Sequence, residues 1–271
     1  MTRTCPRRYR PRSRAMSEKQ PCTYQQTRFH RFHGYNLSLH DQDTVAHREM
    51  SFANAIVFSE RSLSPGEVFL IEIESSENGW SGHIRLGLTQ LDPDALQRSG
   101  HLLPQCAIPD MVSNKTMGES WVCALTKHQA WYDANYLTNY FRLDGNHVFT
   151  SRGTFPTSIL KSSRNDKMDI LPTDVGSRVG VLYLPCGQNM AVMHFIINGE
   201  FVVPLSRTIP YNDGPIRAVI DVYGATKRVR VIQVYNVNSL QSACRETILK
   251  NIKAASVSKL PLPNALKEIK D

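Results

Sequence analysis

The nine histidines and six cysteines are the residues of this sequence best suited to bind a metal or to perform catalysis. His30 and His33 lie close together, but no Cys, Asp or Glu joins them at the spacing of zinc ligands, which favours ordinary surface or core histidines. The cysteines are far apart and form no C-x-x-C pair, which predicts reduced, mostly buried thiols. The sequence also lacks a G-x-S-x-G, a P-loop and an H-E-x-x-H motif. We therefore predict no catalytic residue, no metal and no cofactor.

A different kind of candidate site lies near the end of the chain, where apolar residues take a helical period. Leu240, Cys244 and Ile248 recur at every fourth position after Ser239, a plausible N-cap, and so predict a helix with one narrow apolar stripe. The segment Leu260-Pro261-Leu262-Pro263 follows and predicts a rigid extended step, because proline cannot join a helix interior. A short helix is predicted after it. Taken alone, the striped helix would be expected to pack on the rest of the protein.

Aromatic residues suggest a third kind of site, a contact surface for another protein. One stretch is rich in Trp, Tyr and Asn, which suits such a surface, although an ordinary loop is nearly as good an interpretation. Its candidate contact residues are Trp131, Tyr132, Tyr136 and Tyr140. Trp80 and Trp121 are instead predicted to be core aromatics.

The elements that would position these residues read as β-strands from about Phe29 to Val237. In residues 68–74, Phe69, Ile71 and Ile73 share one face, and residues 216–223 alternate in the same way. Such alternation is typical of antiparallel sheets with one buried face. Asn198-Gly199 between two apolar runs predicts a type I′ hairpin. We predict an all-β antiparallel sandwich, with an excursion from the sheets over residues 129–173 and no long amphipathic helix.

The positive charge of the chain lies in its first residues. The sequence pI is about 9.2 and the net charge is +8. Residues 1–31 contain nine basic groups and one acid, so the remainder of the chain sums to zero. We predict a disordered basic tail over residues 1–26, since it has too little apolar surface to recover its ordering entropy. No apolar run is long enough to span a membrane, and no signal peptide is evident, which predicts a soluble cytoplasmic protein without membrane insertion.

Two resemblances to known families connect these features. Residues 239–248 resemble a BC box and residues 260–263 resemble a cullin box, so that residues 238–271 resemble a complete SOCS box. The segments Phe29–Leu39, Ser51–Leu63 and Trp80–Thr89, together with Ala46-x-Arg48 and Gly176–Val181, resemble a neuralized homology repeat over about residues 27–237. The body therefore resembles one family and the C-terminus another, in the order of a binding domain followed by a ligase-docking module.

The resemblance implies a SPRY-like β-sandwich that binds a protein substrate and a small α-helical SOCS box that recruits a ubiquitin ligase. It implies elongin C binding at Leu240, Cys244 and Ile248, with elongin B as a further partner. It also implies that Leu260, Pro261, Leu262 and Pro263 select cullin-5 with its RING protein. The paired zinc ligands of the RING finger found in other neuralized proteins are absent, so any ligase activity would come from partners.

Three other function classes stay open at this point. The first is a pure binding module whose terminal helix packs on its own sandwich. The second is an RNA-associated protein acting through the arginine-rich tail, which the neutral body and the lack of RNP-type motifs disfavour, so that nucleic acid is not an expected partner. An enzyme with its own catalytic residues comes last. The identity of the substrate cannot be predicted from the sequence.

Overall fold

The protein is described by a computed structural model, which covers residues 26–108, 119–127, 132–133, 141–150, 153–164, 170–203 and 208–234. These residues form antiparallel β-structure with one short α-helix, α1 (Pro93–Arg98), and one 3-10 helix (Thr157–Ile159). The strands are β1 (Leu37–His40), β2 (Val45–Arg48), β3 (Ile56–Phe58), β4 (Phe69–Ser76), β5 (Arg85–Thr89), β6 (Ser120–Ala124), β7 (Tyr132–Asp133), β8 (Phe141–Leu143), β9 (His147–Thr150), β10 (Gly153–Pro156), β11 (Arg178–Pro185), β12 (Ala191–Ile197), β13 (Glu200–Val203), β14 (Arg217–Asp221) and β15 (Thr226–Ile232).

The strands are arranged in two large sheets and one small one. The larger sheet has eight strands in the order β1-β2-β15-β4-β11-β12-β13-β7. The second has four strands in the order β3-β14-β5-β6, and β8, β9 and β10 form a three-stranded meander. Every strand pairing among the described residues is antiparallel, and the β15–β4 pair has local register shifts. The predicted antiparallel β-sandwich is confirmed.

The main core lies between the eight-stranded and the four-stranded sheet. Phe69, Ile71 and Ile73 of β4 face Leu86 and other buried apolar residues of the second sheet. These four named side chains are fully buried. The period-two pattern of β4 places these residues on one face, as predicted, because successive side chains of a strand point to opposite sides. Burial of this apolar area is the main force that holds the two sheets together.

The outer faces of both sheets are covered in part, which differs from the prediction of strands with one buried face. Leu70 and Ile196 of the large sheet pack against Phe155 of β10 in an outer cluster. On the other side, Val219 of β14 packs with Leu96 of α1. Leu70, Ile196 and Val219 are thus buried on the second face of their strands, because the meander and α1 shield them from water.

The hairpin between β12 and β13 has the predicted geometry. Asn198 and Gly199 have φ values of 50° and 96°, both in the left-handed region that a type I′ turn requires. Phe195, Ile196 and Ile197 pair with Val202, Phe201 and Glu200 across the turn. This local prediction is confirmed.

Several predicted segments are described by the structure only in part or not at all. The predicted excursion over residues 129–173 contains the separate meander β8–β10, but its strand β7 belongs to the large sheet. Residues 1–25 of the predicted basic tail (1–26) and the predicted SOCS-box helices lie outside the described residues. Within the described part of the chain, no helix combines the length and the apolar character that crossing a membrane requires. The domain limits 27–237 and 238–271 stay a prediction.

Candidate functional site

Three loops that cross between the two large sheets meet at one end of the sandwich. They are residues 49–55 between β2 and β3, residues 77–84 between β4 and β5, and residues 222–225 between β14 and β15. They lie together because β15 runs antiparallel between β2 and β4 in one sheet, while β14 runs antiparallel between β3 and β5 in the other. We call this region the loop end.

A buried arginine connects these loops. The side chain of Arg48 is fully buried at the end of β2. Its Nε donates to the carbonyl oxygen of Val222 at 2.8 Å, and its Nη2 donates to those of Gly224 and Thr226, the latter at 3.0 Å. Nη2 also lies 2.9 Å from a carboxylate oxygen of Glu77. The guanidinium therefore joins a strand of the large sheet to two crossing loops, with a charge that Glu77 compensates.

Close backbone contacts complete the loop end. The N–H of Gly224 donates to the carbonyl of Phe52 at 3.0 Å, and the N–H of Ala225 donates to that of Gly82 at 2.9 Å. Gly224 has a φ of +61°, and a Cβ there would lie 2.4 Å from the carbonyl oxygen of Gly82. Both the conformation and the space therefore require glycine at position 224.

Aromatic side chains cover the outside of this backbone frame. The ring of Phe52 lies 5.1 Å from that of Trp80 and 5.8 Å from that of Tyr223, the second pair edge to face. The guanidinium carbon of Arg85 lies 4.1 Å from the centre of the Tyr223 ring, a cation–π arrangement. Trp80 nevertheless stays 43% exposed. These rings are held rigidly, with a part of their apolar surface left open to solvent.

Further exposed apolar residues lie in the loop end or on a segment that is hydrogen-bonded to it. The side-chain amide of Asn36 donates to the carbonyl of Ala53 at 2.8 Å, and its neighbour Tyr35 is 79% exposed. Met50, the second residue of the first loop, is 64% exposed. We define the aromatic loop surface as Tyr35, Met50, Phe52, Trp80, Ile108 and Tyr223. Of the six exposed large hydrophobic residues in the described part of the chain, this surface contains four.

A buried carboxylate holds Ala107, the residue that precedes Ile108 of this surface. The Oδ2 of Asp221 accepts from the N–H of Ala107 at 2.8 Å, and Arg85 donates to the carbonyl of the same residue at 2.9 Å. Burial raises the pKa of Asp221 to about 6, although the hydrogen bond from Ala107 and the charges of Arg85 and Arg48 oppose this effect. The carboxyl group of Asp221 therefore titrates nearer to neutral pH than an ordinary aspartate.

A pH dependence of stability follows from the raised pKa. Because the folded protein holds the Asp221 proton more tightly than the unfolded chain, the contribution is favourable at low pH and is lost as the pH rises through 6. Between pH 5 and pH 7.5 we expect this group to lower the free energy of unfolding by about 1 kcal/mol. Urea unfolding at both pH values measures it. Burial lowers the pKa of His194 to about 4, which gives every variant an opposite pH dependence, so the contribution of Asp221 is the difference between Asp221→Asn and the unmodified protein. Relative to the unmodified protein, Asp221→Asn should gain about this amount from pH 5 to pH 7.5, whereas Asp144→Asn on the exposed β8–β9 turn should show no such change.

The described cysteines fit a structural role but are less buried than predicted. Cys106 and Cys123 are half-buried, and Cys186 is exposed. Burial raises the pKa of the Cys106 and Cys123 thiols, so both are protonated and weakly nucleophilic at neutral pH. The prediction of reduced thiols agrees with these three free cysteines, while the prediction of mostly buried thiols is wrong for Cys186.

Of the contact residues predicted from the sequence, the structure describes only Tyr132 and tests none. Tyr132 lies in β7, where its backbone is opposite Val203 at the sheet edge farthest from β1. The other predicted substrate contacts, Trp131, Tyr136 and Tyr140, lie outside the described residues, as do all the elongin and cullin contacts. These site predictions stay predictions.

Sequence reasoning missed the aromatic loop surface. Trp121 is 3% exposed, so its predicted core position is confirmed, but the same prediction is wrong for Trp80. The signal that could have found Trp80 is its neighbour pair Asn78-Gly79, a turn sequence that places the tryptophan in a loop rather than in a strand. Tyr35 and Met50 carry no comparable signal, because only the tertiary contacts of Asn36 and Arg48 bring their segments together.

Comparison with known proteins gives matches over nearly the whole chain. The Neuralized family matches residues 29–233, and the SOCS box family matches residues 236–269. Neuralized-like protein 2 of Mus musculus is 38% identical over 281 residues, covering 95% of this chain and 94% of that protein. A Rattus norvegicus protein named E3 ubiquitin-protein ligase NEURL3 is 38% identical over 78 residues, covering 29% of this chain and 30% of that protein.

One solved structure shows the same fold. The crystal structure of the Drosophila melanogaster neuralized-nhr1 domain matches with a TM-score of 0.52 and 22% sequence identity. The match covers 77% of this chain and 99% of that domain. At this level of identity the likeness concerns the fold alone, and it agrees with the antiparallel sandwich described above.

Proposed function

Because this chain belongs to the Neuralized family and carries a SOCS box after its Neuralized domain, we propose that it is the substrate-recognition adaptor of an elongin BC–cullin-5 RING ubiquitin ligase. The observation that carries the proposal is the presence of both modules on one chain, a binding sandwich and a ligase-docking segment. In this role the protein is a non-catalytic receptor that works in the cytoplasm. A relative named as an E3 ubiquitin-protein ligase supports the link to ubiquitin transfer.

The docking half of the proposed function rests on the SOCS box. Leu240, Cys244 and Ile248 would enter an apolar site on elongin C, which is joined to elongin B. The segment Leu260-Pro261-Leu262-Pro263 would contact cullin-5. Cullin-5 brings the RING protein and, through it, the ubiquitin-conjugating enzyme that is loaded with ubiquitin. The adaptor then needs no catalytic residue of its own, because the partners supply the transfer chemistry and the adaptor supplies proximity.

The recognition half is assigned to the aromatic loop surface. Partly exposed aromatic rings on a rigid backbone frame offer large contact area at low cost in side-chain entropy, since Phe52, Trp80 and Tyr223 already hold one another in place. The expected occupant is a segment of a protein substrate with apolar side chains. Trp131, Tyr132, Tyr136 and Tyr140 form a second proposed contact region, of which Tyr132 lies in strand β7 at the far edge of the large sheet.

Reconstitution tests the proposed function directly. The full chain is co-expressed with elongin B and elongin C, and cullin-5 with its RING protein is added to the purified complex. We expect a higher soluble yield with the elongins, co-elution of all components in size-exclusion chromatography, and transfer of ubiquitin to a captured substrate. Equal yield without the elongins, and no co-elution, would favour the alternative of a protein-binding sandwich that assembles no ligase.

Removal of the exposed tryptophan should weaken substrate binding while ligase assembly is retained. Truncation of an aromatic anchor typically costs about 2 kcal/mol or more, which corresponds to roughly a 30-fold loss of affinity. We therefore expect Trp80→Ala to lower substrate capture from cell extract at least that far, and Tyr35→Ala to act in the same direction. Quantitative co-purification of the substrate, scaled to the amount of elongin C in the same sample, is the measurement.

The matched control is Gln188→Ala, which changes an exposed side chain in the β11–β12 loop at the opposite end of the sandwich. This variant should capture substrate as the unmodified protein does. If Trp80→Ala and Gln188→Ala both keep full capture at equal thermal stability, the aromatic loop surface does not bind the substrate. The contact must then be sought near β7.

A further inference from the structure

A cluster of metal-binding side chains lies on the outer face of the β1–β2 hairpin. In this hairpin Ser38 is opposite His47, and His40 is opposite Val45, so that the two histidines are diagonal neighbours on one face. Their ring centres are 6.1 Å apart. Glu49 follows β2 directly, and its carboxylate oxygen lies 3.7 Å from His47 Nδ1 and 4.0 Å from His40 Nε2. The three potential ligand atoms all lie within 4.8 Å of one another.

We propose that His40 Nε2, His47 Nδ1 and the carboxylate of Glu49 bind a zinc ion. Two imidazoles and one carboxylate are a donor set that zinc favours, with a water or a partner ligand at the fourth position of the tetrahedron. Zinc–ligand bonds of about 2.0–2.2 Å place neighbouring ligand atoms roughly 3.4 Å apart. The two separations that involve Glu49, 3.7 and 4.0 Å, need to close by only a few tenths of an ångström. The two imidazole nitrogens lie within 4.8 Å of each other, and rotation of the exposed His40 ring would bring them closer.

The space between the ligands is bridged by a hydroxyl group. Ser38 Oγ lies 2.8 Å from His40 Nε2 and donates to the carboxylate of Glu49. This hydroxyl holds the imidazole and the carboxylate towards each other, and it competes with a metal for the same nitrogen. A simple hydrogen-bonded surface cluster is thus the competing explanation, and replacement of Ser38 separates the two.

The electrostatic surroundings permit a bound cation. Arg228 lies opposite His47 on β15, and its Nε is 2.8 Å from a carboxylate oxygen of Glu74. Lys227 donates to the backbone carbonyl of Glu49, and its ammonium nitrogen is 2.9 Å from a carboxylate oxygen of Glu77. Each of these two positive charges is therefore paired with an acid, which reduces its repulsion of a metal ion.

Zinc at this place would stabilise the loop end. His47 and Glu49 flank Arg48, whose side chain points to the buried contacts with residues 222–226. A metal that joins both residues to His40 would fix the end of β2 against the edge strand β1. Since a ligand that binds only the folded state raises stability by mass action, unfolding should move to higher temperature as zinc is added.

The test is titration of the full chain with zinc chloride by isothermal calorimetry, together with the visible absorption of a Co²⁺-loaded sample. We expect His40→Ala, His47→Ala and Glu49→Gln each to lower the affinity for one equivalent of zinc at least about tenfold. Changes in residues that only support the ligands already lower metal affinity about 10–100-fold. The Co²⁺ bands of imidazole ligation should be lost in the two histidine variants. The exposed His101, whose Nδ1 bonds Ser99, supplies the control His101→Ala, which should titrate like the unmodified chain.

Ser38→Ala provides the decisive comparison. If zinc binds here, removal of the competing hydroxyl should leave the affinity equal or higher, and zinc should still raise the unfolding temperature. The proposal is overturned if the three ligand variants keep the full zinc stoichiometry, affinity and Co²⁺ spectrum. It is equally overturned if His101→Ala loses as much zinc as His40→Ala. Circular dichroism of every variant at the titration temperature establishes that a loss of binding does not reflect unfolding.

Discussion

A chain in which Arg48 is replaced by methionine is expected to lose about 3–5 kcal/mol of its free energy of unfolding. Methionine keeps most of the side-chain volume but removes the donors that serve the carbonyl groups of Val222, Gly224 and Thr226. These acceptors are separated from Arg48 by more than 170 residues along the chain, so no local contact can replace the lost bonds. Urea unfolding monitored by tryptophan fluorescence measures the loss.

The control for this prediction is Arg61→Met, since the side chain of Arg61 is 37% exposed and pairs with Glu67 near the surface. An exposed or half-exposed ion pair contributes at most about 1 kcal/mol, so this variant should unfold close to the unmodified protein. If both variants unfold at the same urea concentration, Arg48 is not the residue that holds the loop end together. A destabilised but folded Arg48→Met chain should also lose substrate capture, because the aromatic loop surface is built on the same loops.

Leu240→Ala is expected to abolish capture of elongin C, most completely when it is combined with Cys244→Ala. Truncation of a well-buried anchor costs about 2 kcal/mol or more, roughly a 30-fold loss of affinity for each such contact. Cullin recruitment should be lost with elongin. Replacement of residues 260–263 by alanine should act differently, because the proposed elongin contact lies on the preceding helix. There we expect elongin to co-purify while cullin-5 is weakened or lost.

These variants leave the sandwich unchanged, so each should still hold the substrate without ubiquitinating it, and the substrate should accumulate in cells. Co-purification of elongin C, cullin-5 and substrate from the same extract measures all three effects. If the change at residues 260–263 removes elongin as completely as Leu240→Ala does, the two segments form one folded unit. If neither variant loses a partner, the terminal helix packs on its own protein, and the ligase-adaptor function is wrong.

Several features of the fold could be predicted because they depend on local chemistry. The Asn198-Gly199 turn is determined by two residues that accept positive φ angles between apolar strands. The inward face of β4 follows from its alternation, since Phe69, Ile71 and Ile73 must share one side of any sheet. The antiparallel sandwich could be predicted from such signals together with the family pattern of residues 29–89.

Other features could not be predicted, because they depend on which distant segments cover a surface. Alternation in β14 suggested one buried face, yet Val219 on the other face is buried beneath α1. Trp80 has a large apolar side chain of the kind usually found in a core, but its loop leaves the ring partly exposed to solvent beside Phe52. Whether a ring is covered or exposed depends on long-range packing, about which the residues beside it in sequence contain little information.

By itself, the amino-acid sequence determined the two-part organisation of this protein, a β-sandwich followed by a SOCS box. This was possible because strand period, turn chemistry and short docking motifs all depend on residues that are close together in the sequence. Only the tertiary structure decided where the sandwich has its exposed aromatic surface, which arginine supports it, and which histidines meet Glu49. The physical reason is the same in all three cases. Antiparallel strands bring together loops that are far apart in the chain, and the resulting contacts between Arg48 and residues 222–226 have no counterpart in any local pattern.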